Sequence, residues 1–69
     1  MEKLVLRSEY ITLGELLKAQ GLVDKGSDAR EVILNGEASV NGEVETRRGR
    51  KLYEGDHVSF RGTEISVVR

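Results

Sequence analysis

Apolar residues recur along this chain at two different periods, and the change between them divides it. Leu13, Leu16 and Leu17 fall on one face at helical spacing, and Ala29, Val32 and Ile33 repeat at i, i+3 and i+4. From Glu37 onward the period becomes two: Ala38 and Val40, then Val58 and Phe60, then Ile65 and Val67. A weaker alternation over Lys3 to Arg7, with Leu4 and Leu6 on one side, predicts a short strand before the helices.

The element ends are marked as well. Thr12 followed three residues later by Glu15 is the pattern of a capping box, and Ile11 with Leu16 holds the two positions of a hydrophobic staple. Gly21 supplies a stop, with Leu22 placed to fold back on Leu17. Ser27 is the expected cap of the second helix, Asp28 suits the positive end of its dipole, and Gly36 ends it after about eight residues. So short a helix depends on tertiary packing. Asn41-Gly42 between alternating residues predicts a two-residue hairpin turn, because a type I′ turn needs positive φ at both positions. Leu52-Tyr53 reads as a short strand or turn edge, Glu54-Gly55-Asp56 as a turn, and Gly62-Thr63 as a second tight turn. The expected fold is α+β: one small domain over residues 1–69, with two short helices packed on a twisted, mainly antiparallel, hairpin-rich sheet.

Composition narrows the function. There is no Cys, hence no disulfide framework or thiolate metal site, and only three aromatics are available. The unbroken apolar runs are far shorter than the about 20 residues a membrane helix needs, and no secretory signal pattern opens the chain, so a cytoplasmic location is expected. Eleven basic and twelve acidic residues give a formal net charge of −1. Nucleic-acid binders draw much of their affinity from phosphate neutralisation, so any such site must be a local patch on a nearly neutral body.

Two groups of cations are candidates. Arg47, Arg48, Arg50 and Lys51 fall within five positions around Gly49; arginine forks grip phosphate oxygens, and glycine lets a backbone approach. The same run also reads as a solvated connector whose charges offset Glu43, Glu45 and Glu54. Lys25, Ser27 and Arg30 cluster at the start of the second helix, where unpaired amides and the dipole favour anions. The alternative there is a simple cap with solvated neighbours. Tyr53 suits stacking on a base, but in a chain with so few large residues an edge of the core is the stronger expectation. His57 has no second His or Cys to complete a metal site, and Asp56, His57 and Ser59 on one strand cannot converge as a triad. Glu43 and Glu45 read as surface charge on an exposed hairpin, not as a general acid and base. No cofactor motif is present, and an enzyme is not expected.

The ordered set Leu13-Gly14-Glu15-Leu16-Leu17, Gly21-Leu22, Asp28-Ala29-Arg30, Ile33, Gly36, Val40-Asn41-Gly42 and Gly55-Asp56-His57-Val58 resembles the RNA-binding domain named after small-subunit ribosomal protein S four. The likeness spans residues 11–60 and implies that two helices and the hairpin form an αL motif for structured RNA, ribosomal RNA foremost. It implies a short stand-alone member of that family, with Arg30 at the family's basic position on the second helix. Three positions depart from the pattern. Thr12 stands where Arg is frequent, Lys25-Gly26 replaces Ser-Arg, and Glu37 takes a place commonly basic or His. The Arg47–Lys51 cluster follows the hairpin and is placed to extend the same surface. Residues and resemblance together lead to the expectation of RNA held by phosphate and shape contacts, through Lys25, Ser27, Arg30, Arg47, Arg48, Arg50 and Lys51. The competing reading is an adapter that docks this basic turn on an acidic protein partner.

Overall fold

The computed structural model describes all 69 residues. In chain order the elements are β1 (Glu2–Val5), β2 (Ile11–Thr12), α1 (Leu13–Ala19), α2 (Gly26–Leu34), β3 (Ala38–Val40), β4 (Glu43–Val44), β5 (Lys51–Leu52), β6 (His57–Phe60) and β7 (Thr63–Val68). A five-stranded sheet has the order β1-β7-β6-β3-β4, and a separate two-stranded ribbon pairs β2 with β5. Every pairing is antiparallel except β1 with β7, which run parallel in the register Glu2↔Ile65 to Val5↔Val68. The α+β expectation holds, with a mixed sheet.

The period-two residues face one side. Ala38, Val40, Val58, Phe60, Ile65 and Val67 are buried and join Leu13, Leu16, Leu17, Ala29, Ile33 and Leu52 in one core. The two helices therefore cover one sheet face. At about 1.5–3 kcal/mol for each fully buried large aliphatic side chain, these contacts outweigh any local helix propensity in segments this short.

Both helices end alike. After α1, Leu22 N–H donates to the Leu17 carbonyl at 2.9 Å and Gly21 N–H to that of Lys18 at 3.0 Å, with Gly21 at φ 71. After α2, Glu37 and Gly36 donate to Val32 and Ile33 in the same pattern. These are Schellman motifs; the first turns the chain sharply towards α2, and the second turns it into β3. The β3–β4 turn has positive φ at both Asn41 and Gly42, as a type I′ turn requires. Asn41 also accepts from His57 N–H at 2.9 Å and donates to Asp56 at 3.0 Å, which ties this turn to the entrance of β6.

Several boundaries differ from the sequence expectation. The first strand ends at Val5, although Leu6 N–H still reaches the Val68 carbonyl at 2.8 Å. The second tight turn is Arg61-Gly62, both at positive φ, and Thr63 already pairs with Phe60. Ser27 is not the cap of α2. The helix begins at Gly26 behind an extended Lys25, which makes no side-chain cap, so Ser27 lies inside the first turn.

Candidate nucleic-acid interface

The two helix starts are treated in opposite ways. At α1 the capping box forms: Thr12 Oγ1 accepts from Glu15 N–H at 3.3 Å, and Glu15 accepts from Thr12 N–H at 3.0 Å. The remaining first-turn amides are taken by the basic turn, with Leu13 N–H donating to the Arg50 carbonyl at 2.9 Å and Gly14 N–H to that of Arg48 at 3.0 Å. Hydrogen bonding to Thr12 holds the Glu15 carboxyl below its usual range. At α2 nothing comparable occurs. The amides of Gly26, Ser27 and Asp28 have no acceptor in the protein, and the dipole of a nine-residue helix stands behind them.

Gly14 explains how the basic turn sits so close to α1. A Cβ there would stand 2.6 Å from Arg48 Cγ, so only glycine lets that side chain cross the helix. The result is a shallow cleft lined by Tyr10, Lys18, Gly26, Ala29, Arg48 and Gly49, among others. The start of α2 and the basic turn, distant in sequence, therefore border the same cleft. Lys18, on α1, joins it. Sequence reading missed that residue, although its helical spacing from Gly14 put it on the same face.

The four cations of the turn divide into two pairs. Glu45, expected as surface charge, is buried at 7% exposure. It accepts from Arg47 Nε at 2.9 Å, Arg47 Nη2 at 3.1 Å and Arg50 Nη1 at 2.8 Å, and from the Arg47 backbone N–H at 3.0 Å. The buried carboxylate could not be left alone there without a desolvation cost, which is why it is multiply paired, whereas the Arg47 side chain reaches out to solvent. Arg47 and Arg50 thus brace the turn, while Arg48 and Lys51 have no carboxylate partner. Lys51 Nζ instead lies 4.9 Å from the centre of the Tyr10 ring. Lys25, Ser27 and Arg30 are exposed, and neither Lys25 nor Arg30 forms an ion pair within the chain.

The hydrogen bonds from Arg47, then Arg50, hold the Glu45 carboxyl at about 2 against a usual 4.5. A carboxylate depressed in the folded state stabilises the protein above its unfolded pKa and loses that contribution as pH falls towards the folded value. Glu45→Gln is therefore expected to destabilise at neutral pH by about 1–3 kcal/mol, the cost of breaking a charge-assisted buried network. The gap from wild type should be full above about pH 4.5 and close as pH falls towards about 2, read by denaturant unfolding at a series of pH values. A gap that persists at the acid end would show that the network does not stabilise through its charge.

Elsewhere the polar groups are committed to structure. Glu37, at the family's often basic position, pairs with Arg61 Nε at 2.5 Å, which lowers its pKa. His57 Nε2 lies 2.6 Å from Glu64, while Asp56 accepts from Asn41 and from Tyr53 N–H, so these residues do not meet Ser59 as a catalytic group. Tyr53 corrects the core expectation: it is 49% exposed and touches Tyr10, 38% exposed, with ring centroids 6.0 Å apart. Leu52, next to it, fills the core position instead. No helix is long and apolar enough to cross a membrane.

Comparison with known proteins places this arrangement. The S4 domain model matches residues 4–68. The solution structure of YbcJ from Escherichia coli, described as revealing an αL motif involved in RNA binding, superposes with a TM-score of 0.75 at 36% identity, covering all of this chain and 89% of that one. The "Probable ribosome maturation protein RlbA" of Bacillus subtilis (strain 168) is 44% identical over 55 residues, 80% of this chain and 78% of that protein. The crystal structure of the 30S ribosomal protein S4e from Thermoplasma acidophilum shares the fold, with a TM-score of 0.69 at 20% identity over 84% of this chain and 31% of its own.

Proposed function

The chain belongs to the S4 domain family, and on that premise we propose that it is a non-enzymatic module that binds structured RNA, ribosomal RNA foremost. One observation carries the reading: the unsatisfied amides at the start of α2 and the unpaired Arg48 border the same cleft. Amides, dipole and guanidinium together make a phosphate site on a body whose net charge is only −1. Lys25, Ser27 and Arg30 contact one stretch of backbone, and Arg48 and Lys51 a second. Arg47 and Arg50 hold the turn in shape through Glu45 and offer their remaining N–H groups. Base edges go largely unread, so recognition is by phosphate position and helix shape. The names of YbcJ and RlbA, relatives over most of their length, support RNA and the ribosome as the partner.

Salt dependence tests this. With about four to six phosphates neutralised, the affinity of the purified protein for ribosomal RNA should fall by roughly 0.7–0.9 log units per contact for each tenfold rise in salt. No binding, or binding indifferent to salt, would overturn the proposal.

A further inference from the structure

We propose that Tyr53, backed by Tyr10 and flanked by Lys51, is a stacking platform for an unpaired nucleobase at the edge of the RNA site; this rests on the RNA-binding reading above. The platform is built by the small ribbon. β2 and β5 pair as Ile11↔Leu52, so Tyr10 and Tyr53 stand opposite each other one step beyond the ladder. Leu52 points into the core with no exposure, and alternation along the strand sends Tyr53 outward. Of the three aromatics only Phe60 is buried, at 2% exposure, while both tyrosines lie on the surface.

The two rings are tilted by 49° and in contact, which leaves no slot between them for a third ring. A base must therefore lie on an outer face. Lys51 Nζ covers one face of Tyr10, so Tyr53 carries the open ring. Tyr53 is also fixed at its backbone, where its N–H donates to Asp56 at 2.8 Å. With the backbone held there and the ring resting against Tyr10, the ordering cost of stacking is lowered. Location supplies the ligand class. Tyr10 lines the cleft that Arg48 and Lys18 border, and Lys51 carries no carboxylate. A π-face beside unpaired cations fits a nucleotide, whose base stacks while its phosphate meets the ammonium.

The test uses the full chain and two synthetic RNA hairpins that differ at one unpaired position beside the stem, adenosine in one and an abasic sugar in the other. Wild type should bind the adenosine hairpin on the order of tenfold more tightly, and Tyr53→Leu should abolish that difference while Tyr53→Phe keeps it. Tyr10→Phe leaves Tyr53 as the single tyrosine, and its fluorescence should be quenched by the adenosine hairpin and not by the abasic one. Equal wild-type affinity for both hairpins would overturn the platform and leave RNA binding intact. A Tyr53→Leu loss of the same size on both hairpins would assign the ring a purely structural role and likewise overturn it. Failure of wild type to bind either hairpin would sink the RNA reading and the platform with it. The wild-type comparison and the quenching need no variant at Tyr53, so the result stands even if Tyr53→Leu does not fold.

Discussion

Reversing Lys25 and Arg48 together to glutamate is expected to weaken binding to ribosomal RNA on the order of a hundredfold near about 0.1 M salt. The two side chains come from opposite banks of the interface. Lys25 precedes the amides at the start of α2, and Arg48 crosses α1 at Gly14. Removing two phosphate contacts should also flatten the salt slope by about 1.4–1.8 log units per decade. Neither residue has an ion-pair partner, so the fold should be unaffected, and thermal unfolding should match wild type. The pair discriminates between sites as well as testing one. Arg47→Glu would place a carboxylate against buried Glu45 and unfold the turn, confounding loss of contact with loss of structure. An unchanged affinity in the Lys25/Arg48 variant would remove RNA from this cleft.

Leu52→Ala should have the largest effect on stability. Its side chain is fully buried and, with the partly buried Ile11 opposite it, ties the β2–β5 ribbon to the core. Truncating it should cost about 2–4 kcal/mol. A domain of 69 residues has roughly 3–10 kcal/mol in all, so the variant should melt on the order of 10–30 °C lower. Leu34→Ala serves as the control, because Leu34 is 59% exposed and its loss should shift the transition little. The basic turn should loosen before the rest, since its backbone is fixed to α1 only through the carbonyls of Arg48 and Arg50 that adjoin β5. A small shift for Leu52→Ala would mean that the ribbon is peripheral to the fold.

Local chemistry was readable from the residues, and distant pairing was not. The Thr12–Glu15 box, both glycine stops and the Asn41-Gly42 turn depend on neighbours within a few positions, and each appears as expected. Apart from Leu52, the core also followed from period, because burial on one face imposes it. What failed involved contacts far along the chain. Nothing near Leu4 announces a parallel partner at Val67. Ser27 has the chemistry of a cap, but the cap is Lys25 and the helix starts two residues earlier than a Ser27 cap would set it. Tyr53 was expected inside because large residues are scarce, yet the ribbon's alternation gave that place to Leu52. Glu45 looked like one more surface charge in an acidic stretch. Its burial depends on Arg47 and Arg50 folding back, and with them goes half the apparent positive charge of the turn.

The parallel pairing of β1 with β7 joins the residues of the sheet that lie farthest apart in sequence. The β6–β7 hairpin closes over two residues, whereas joining Glu2 to Ile65 draws together almost the whole chain, at a higher entropic cost. Three of the four residues of β1 are exposed, so little buried surface holds it once formed. β1 therefore separates from the sheet at a lower free energy than β6, which is paired on both edges. Each opening bares the edge of β7, with its alternating Ile65 and Val67, as a template for a foreign strand. A foreign strand seated there would extend the sheet by the same parallel pairing that β1 makes.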